Sequence, residues 1–525
     1  VALGSSGKAS APVDPVVIQS FKANVYNGYT PADNSVAVSN DGIIVSAINS
    51  NIYYYRADGT ELGNTTFLRL SRDYFSNLKS GMFDPRVMYD RSTDRFVMVI
   101  LNGHESSTSE LLVLFSVSNN PMDGWNGYLL PGDMLEKDQW MDYPNIAVNQ
   151  STLFVSVNMY DDNGDFKEPL VIGIEKKTGY AGNELNYQYW QGLMADGEPA
   201  FTVVPVEQGS PWGFSNRALF TCTNDYYNNY LEIYELNPST NELTAFDVEV
   251  MYYDVPNEGD QLGTTDQLNL GDNRTKHAIV IDQVLHVVHT TATINYHSAV
   301  NYYRVDLKTR KVDTKTLHRD AKKMGLSFPT IASAGTTPGD QSVIIAFTQS
   351  SKDIYPELAV LSIDHELNVG NMVVVQEGSG YVDVLRDEVE RWGDYITLAR
   401  RYNTNTCWLF GLVGGPNGRF DNYLFEMSLN GQVGTGPGGT PTKSAVYPNP
   451  AVEATTLEFD LNQRRILTIA VYDMAGKQLQ VLSHDAYGAG QHRIILHTNQ
   501  LPPGHYIIKV FDREALISQG QFVKQ

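Results

Sequence analysis

Phe83-Asp84-Pro85-Arg86-Val87-Met88-Tyr89-Asp90 leads into an apolar run over 95–101 and a second over 110–117. The unit is therefore a polar turn with Asp and Pro, a strand, a short turn and two apolar strands. Upstream, 34–39 leads in the same order into 42–47 and 52–55. Downstream, further copies open at Met141-Asp142-Tyr143-Pro144-Asn145, Glu198-Pro199-Ala200, Lys276, Phe328-Pro329-Thr330 and Trp392-Gly393-Asp394-Tyr395. Starts near 34, 84, 142, 198, 276, 328 and 392 recur at roughly 60 residues, within what a four-stranded blade with long loops needs. Seven copies in one phase predict a seven-bladed β-propeller over residues 15–429. An array of two-sheet sandwiches, the competing architecture, predicts no common phase. The strand-like run Val16-Val17-Ile18-Gln19-Ser20-Phe21 is placed to complete the last blade, because an open ring leaves two sheet edges exposed.

Residues 1–14, rich in Ala, Gly, Ser and Pro, are expected to be a flexible leader. Residues 430–444 are a Gly/Pro/Thr linker that has no means of burying a core. Beyond it, 445–525 has its own punctuation. Thr455 to Leu461 alternates apolar and polar side chains, and 466–472, 478–482, 492–497 and 506–511 are further strand-like runs. Short strands with turns between them predict a small Ig-like β-sandwich, so the whole chain is all-β.

The turns of this last segment carry a resemblance. They are Tyr447-Pro448-Asn449-Pro450, Val471-Tyr472-Asp473-x-x-Gly476-Lys477, Ala489-Gly490, Leu501-Pro502-Pro503-Gly504-His505-Tyr506 and the terminal Phe522-Val523-Lys524. In this order, and at this distance from the chain end, they resemble the type A C-terminal sorting domain of type IX secretion cargo, a system of Bacteroidota. The resemblance implies export through an outer-membrane translocon and a shuttle barrel that read this domain. It also implies a surface sortase that cuts at the linker, and a destination outside the cell or on the outer face of the outer membrane. The chain opens at Val1 without a basic segment and apolar core, so a signal peptide has either been removed or is left out of this sequence, and the resemblance implies prior removal.

Composition narrows the partners. The 525 residues carry a net charge of −22, while from Ala445 onward seven Lys and Arg balance seven Asp and Glu. All of the excess therefore lies in the body, which argues against nucleic acid and anionic head groups as partners. No run approaches the ~18 apolar residues of a membrane span. The 31 Tyr suit half-buried or ligand-facing strands. Cys222 and Cys407 fall in different copies, across the ring, and are expected to be free thiols because a disulfide needs Cα atoms within ~7 Å.

No catalytic set is legible. Ser39-Asn40-Asp41-Gly42 and Ser92-Thr93-Asp94-Arg95 match only fragments of the Asp boxes of sialidases and read as plain turns. Arg86 is expected to pair with Asp84 or Asp90. Asp142 and Asp394, each followed by Tyr, stand at equivalent places in two copies and are expected to cap backbone N–H groups. Asp161, Asn163 and Asp165 place oxygen ligands at alternate positions, a candidate Ca²⁺ loop, but Ile172 stands where the twelfth-position Glu belongs. A solvated hairpin tip is the simpler reading, and no other cofactor is expected. Trp140, Trp190, Trp212 and Trp392 could stack on sugars or anchor a protein, with core packing the default. The expected function is a non-enzymatic surface or secreted binding protein. One alternative is a sialidase-like propeller glycoside hydrolase, favoured if Asp84, Arg86, Asp142, Arg391 and Asp394 meet in one central pocket. The other is an accessory subunit held on an outer-membrane barrel, within an outer-membrane complex, by an uncleaved C-terminal domain.

Overall fold

The computed structural model describes all residues except 1–11, 76, 77, 79, 224–227, 238, 239, 294–296, 320–323, 430–444, 462–464, 474–477, 488, 489, 513 and 514. Most of the leader, the whole linker and the Gly476-Lys477 turn thus lie outside the described residues. The chain divides into two compact units, residues 1–401 with 406–431, and residues 402–405 with 432–525.

Seven largely antiparallel sheets form the ring of the first unit, which also holds two two-stranded sheets among its described residues. The first sheet holds Ser35–Val38, Ile43–Ile48, Asn51–Arg56 and Glu61–Thr66. The second holds Met82–Asp90, Arg95–Asn102, Glu110–Ser116 and Trp125–Pro131, and the third Gln139–Val148, Thr152–Asp161, Phe166–Glu175 and Tyr187–Trp190. The fourth, fifth and sixth start from Val204–Pro205, Thr275–Ile281 and Gly325–Ser333. The seventh runs Thr397–Arg401, Thr406–Gly414, Phe420–Ser428 and, as its outermost strand, Val16–Ala23. The first strands of successive sheets pack on one another around a closed circuit, the seventh meeting the first. The body is a seven-bladed β-propeller. Its ring is closed by the N-terminal strand, with Val16 opposite Ser428 and Ala23 opposite Asn422.

The apolar second strands of the repeat now have a cause. Each blade is buried on both faces, so there are seven cores, one between each pair of neighbours. Along Arg95–Asn102, Phe96, Met98 and Ile100 point into the core shared with the first blade. Val97, Val99 and Leu101 point into the one shared with the third. A strand with two buried faces reads as a continuous apolar run instead of an alternation.

Two copies depart from the expectation. Glu198 to Pro205 does not form one strand: Met194–Ala195 and Glu198–Pro199 make a two-residue hairpin, and the inner strand is only Val204–Pro205. Pro199 and Pro205 lack the N–H that a central ladder needs. Glu207–Gln208 then crosses to pair in parallel with Thr275–Ile281 of the fifth blade. In the seventh copy the strand begins at Thr397, and Trp392 to Ile396 reach it as a loop with Trp392 wholly buried.

Cys222 and Cys407 are buried in the fourth and seventh blades and are not joined by a disulfide. Burial pushes the Cys407 thiol up to about 11, which suppresses the reactive thiolate. A thiol reagent is expected to modify neither cysteine in the native protein, and both once denaturant is added without any reductant.

The second unit is a sandwich of a three-stranded sheet (Ala445–Tyr447, Ala454–Leu461, Gly490–His497) and a four-stranded one (Gln478–Tyr487, Arg465–Asp473, Gly504–Asp512, Ala515–Lys524). Leu457, Phe459, Ile469, Val471, Ile508 and Val510 are among the side chains of its core. Among the described residues of the whole chain, no helix is long and apolar enough to cross a membrane.

Candidate functional site at the channel mouth

In three of the copies the polar turn is a bulge at the head of an inner strand. Pairing skips Asp84-Pro85 between Phe83 and Arg86, Tyr143-Pro144 between Asp142 and Asn145, and Phe328-Pro329 between Ser327 and Thr330. Asp33, Asp84, Tyr143, Thr202 and Phe328 all have a left-handed backbone there, with φ of 55, 52, 54, 54 and 51°. A left-handed conformation is strained for a side chain such as Phe or Thr, and such strain gathers at functional sites. Five instances in one ring of equivalent positions mark the mouth of the channel, where the inner strands begin.

Side chains from all seven blades meet there. Asn49 binds two of the carboxylate positions together, its Nδ2 donating to Asp33 Oδ2 (2.7 Å) and its Oδ1 accepting from Asp84 N (2.6 Å). The N–H of Asp394 donates to Asp33 Oδ1 (3.0 Å), and the Tyr395 hydroxyl donates to Pro85 O (3.0 Å). Arg86 lies 3.3 Å from the centre of the Tyr395 ring and donates to Pro144 O (2.7 Å) and Asn145 Oδ1 (3.0 Å). Arg274 forks onto Asp272 and sits 4.5 Å from the Tyr143 ring and 4.6 Å from the Phe201 ring. Lys276 Nζ donates to the Tyr143 hydroxyl (3.2 Å) and faces the Phe328 ring. Arg391 pairs with Asp394.

Burial sorts the carboxylates into two depths. Asp33 is fully buried, and its carboxyl is pushed up to about 7, first by burial and then by the charge of Asp394. Burial, then the charges of Asp33, Asp142 and Asp394, hold Asp84 well above the usual carboxylate range. Asp142 is half-buried and also raised by burial, although the Tyr143 N–H opposes the shift. Asp394 and Arg391 retain 21 and 55% side-chain exposure, so the outer tier of the cluster is accessible. Among the inner strands lies a cavity of about 40 Å³ whose lining includes Arg86, Asn145, Glu207, Lys276 and His277. That is room for roughly three waters.

Two long insertions carry part of this outer tier. Gln267–Leu268 pairs in parallel with Val389–Glu390, and Gln261 exchanges two hydrogen bonds with the backbone of Val382. Glu390 accepts from the N–H groups of Val384, Leu385 and Asp387, which fixes the turn directly before Arg391.

The five residues named as a test in the sequence, Asp84, Arg86, Asp142, Arg391 and Asp394, do come together. Their expected partners were in part wrong. Arg86 pairs with neither Asp84 nor Asp90; the Asp90 carboxylate instead holds the buried Lys176 ammonium at 2.7 Å, far down the blade. Asp394 engages Arg391 where an N–H cap was expected, while Asp142 does accept from Tyr143. Asp33, Asn49, Asp272, Arg274 and Lys276 were not foreseen, because no fixed spacing links residues that converge from different blades. The Asp-Tyr pair repeated at 142–143 and 394–395 was the available signal.

Asp161 accepts from the N–H groups of Asn163 and Asp165, and Lys167 Nζ lies 2.8 Å from its carboxylate. The lysine supplies the positive charge that a cation would bring, and Asp162 is taken up by Ser106. Among the described residues no group of three or more His, Cys, Asp or Glu side chains is placed to hold a metal.

In the second unit the first and last of the turns that carry the resemblance meet. Asn449 Oδ1 accepts from Val523 N (2.9 Å), and Ala451 exchanges backbone bonds with Val523 and Gln525. Tyr506 stacks on Phe522 and donates to Pro502 O (2.7 Å), and Lys509 lies over Tyr472. Asp473 is opposite Tyr506 in the ladder, and Gly520 passes so close to Val446 that a Cβ would meet its methyl at 2.2 Å. Residues 445–524 match the family described as the secretion system C-terminal sorting domain. The C-terminal unit is a sorting domain of type IX secretion cargo. Such a domain implies export to the cell surface or beyond, and interaction with the type IX machinery.

Solved structures similar to the chain include a Trypanosoma rangeli sialidase in complex with 2,3-difluorosialic acid. It is 8% identical, covers 96% of this chain and 91% of its own, and has a TM-score of 0.38. A Synechocystis apocarotenoid oxygenase mutant is 10% identical over 71% of this chain and 78% of its own, with a TM-score of 0.39. No curated protein matches the chain.

Proposed function

We propose that this type IX cargo is a recognition protein whose propeller binds its ligand at the channel mouth. The observation that carries the reading is the two-tier cluster. Asp33 and Asp84 are sealed below and set the field, while Arg391, Asp394 and Asp142 face outward with donors and acceptors available. Strain and raised carboxyl groups gathered in one place are the marks of a site kept for function at the expense of stability. Asp394→Asn and Arg391→Ala are expected to weaken ligand capture on a glycan and surface-protein array about tenfold, the scale of one charged hydrogen bond. Unchanged capture by both variants would move the binding surface elsewhere.

Glycoside hydrolysis is the second reading, favoured by the convergence of the five named residues. Asp142, raised by burial, is the candidate acid, and Asp394 beside Arg391 the candidate carboxylate partner. The three arginines of the mouth do not form a free carboxylate clamp, since each is already engaged by an acceptor of the protein. Sugar release from sialosides or polysaccharides at enzyme-like rates, abolished in Asp142→Asn, would replace the binding role with this one.

The sorting domain admits two finer destinations. Recognition of the sorting domain by a shuttle barrel, and sortase cleavage within 430–444, account for a surface protein. An uncleaved tail would instead hold it on an outer-membrane barrel as an accessory subunit. Mass spectrometry of the surface form distinguishes them, because cleaved chains end near the linker.

A further inference from the structure

Three turns surround a cavity of about 450 Å³: 26–28 after the closing strand Val16–Ala23, 383–386 in the insertion before the seventh blade, and 417–419 between Thr406–Gly414 and Phe420–Ser428. The volume lies within the roughly 300–1,000 Å³ of ordinary ligand pockets. None of its lining residues belongs to the mouth. Arg386 and Asn417 both have a left-handed backbone there, with φ of 62° each, and Arg lacks the short polar side chain that makes this conformation tolerable for Asn. The turn that carries Arg386 is nevertheless fixed, because the buried Glu390 carboxylate accepts from the N–H groups of Val384, Leu385 and Asp387. Asp383 N donates to Gly418 O (2.9 Å), which joins that turn to 417–419. Arg419 lies 6.0 Å from the centre of the Tyr26 ring, itself packed edge-on against Phe420 at 4.5 Å. A strained arginine held by a buried carboxylate at the rim of a cavity is kept for something other than stability.

Both arginines are exposed, and among the described residues neither guanidinium meets a carboxylate or carbonyl acceptor, although Asp383 borders the same cavity. Other acidic groups of the neighbourhood are already engaged: Asp421 by Lys22 (2.7 Å), Asp394 by Arg391 and Glu390 by the backbone. In a chain of net charge −22, two unengaged arginines beside one cavity are a local exception. We propose that this cavity binds one acidic sugar, a uronate, with its carboxylate on Arg386 and Arg419 and its ring hydroxyls donating to Asp383. A planar carboxylate matches the guanidinium fork. Asp383 leaves the lining with a single excess positive charge, which favours a singly charged ligand over a phosphate monoester. Among the lining side chains only Tyr26 and Val384 are apolar, which suits a polyhydroxylated ring and offers little wall to an aliphatic acid.

The test is calorimetric titration of the full chain with galacturonate and glucuronate, each beside its neutral sugar, and with galactose 6-phosphate and serine. One uronate at least should bind, and its neutral counterpart should not. Arg386→Asn and Arg419→Ala should each weaken that binding about ten- to a hundredfold, the scale of a hydrogen bond to a charged group. Because Asn tolerates the left-handed backbone, Arg386→Asn should melt no lower than wild type, which separates lost binding from misfolding. Asp383→Asn should raise the affinity for galactose 6-phosphate several-fold relative to the uronate, since the charge that disfavours a dianion is gone. Failure of both uronates to bind, equal binding of acid and neutral sugar, or wild-type affinity in both arginine variants overturns the site. Uronate binding lost in Asp394→Asn and kept in both arginine variants places the acid in the mouth and overturns the site as well. Tighter binding of galactose 6-phosphate than of either uronate by the wild type overturns the singly charged ligand. Tighter binding of serine, with the same dependence on the arginines, overturns the sugar.

Discussion

Acidification from about pH 7 to about pH 4 is expected to loosen the fifth blade before any other part of the propeller. His286 and His289 stand on its second strand with no exposure. His286 faces the Tyr302 hydroxyl on one side and Gln341 Oε1 on the other, and His289 faces the Thr290 carbonyl and the Tyr303 hydroxyl. Burial pushes them down to about 3 and about 4, and the nearby cations Arg304 and Lys276 act in the same direction. A histidine that titrates lower when folded leaves the unfolded chain with more protons at mildly acid pH. Its stabilisation is therefore complete above about 6.5 and is lost as pH falls toward the folded value. Each histidine removes about 1.4 kcal/mol per pH unit below that point, so the pair removes roughly 7 kcal/mol by pH 4. Against a total of about 5–15 kcal/mol for a typical domain, that is enough to open the blade. Hydrogen exchange read blade by blade at the two pH values checks the location. His286→Gln, whose amide retains hydrogen-bonding groups, should halve the pH slope. Uniform loosening of all seven blades would assign the acid sensitivity to other groups.

Much of this architecture is legible in the sequence, and the reason is physical. A blade buried on both faces writes an apolar run, and seven runs behind seven Asp/Pro turns share one phase. The N-terminal strand was legible as the closing strand because a ring with two open edges is unstable. The fourth blade was misread where Pro199 and Pro205 break a ladder that its apolar residues imitate. The mouth was half legible. Asp84, Arg86, Asp142 and Asp394 belong to the repeated turns, so their equivalence under the ring's symmetry could be seen. Asn49 comes from a hairpin between strands, and Arg274 precedes a strand that the pattern starts at Lys276. Their roles depend on which turn lies opposite which, information held only in three dimensions. The sorting domain was legible throughout because its signals are local turns, and the fold then joins the first of them to the last through Asn449 and Val523.

Asp33→Asn is expected to raise stability at about pH 8 and lower it slightly at about pH 4, while weakening ligand capture. Asp33 is wholly buried, and its carboxyl is pushed up to about 7 from 3.8 by burial, with Asp394 adding to the shift. A carboxyl raised on folding binds its proton more tightly in the native state. Stability is thus greatest below about 3.8, declines as pH climbs to 7, and stays at the reduced level above. The deficit at pH 8 is about 4 kcal/mol, which a neutral amide does not incur. The amide keeps the bond from Asp394 N but turns an N–H₂ toward the Asn49 amide, losing an acceptor worth about 1 kcal/mol. The net change is therefore a gain of roughly 3 kcal/mol at high pH and a loss of roughly 1 kcal/mol at low pH. The backbone raises no objection, since Asn tolerates the left-handed φ of 55° found at this position. Arg391 and Arg86 lose a buried counter-charge, and the outward tier that they help to set is expected to bind several-fold more weakly. Denaturant unfolding at the two pH values reads the crossing directly. A variant less stable than wild type at both would mean that the Asp33 carboxylate stabilises the mouth, and that no stability is surrendered there for binding.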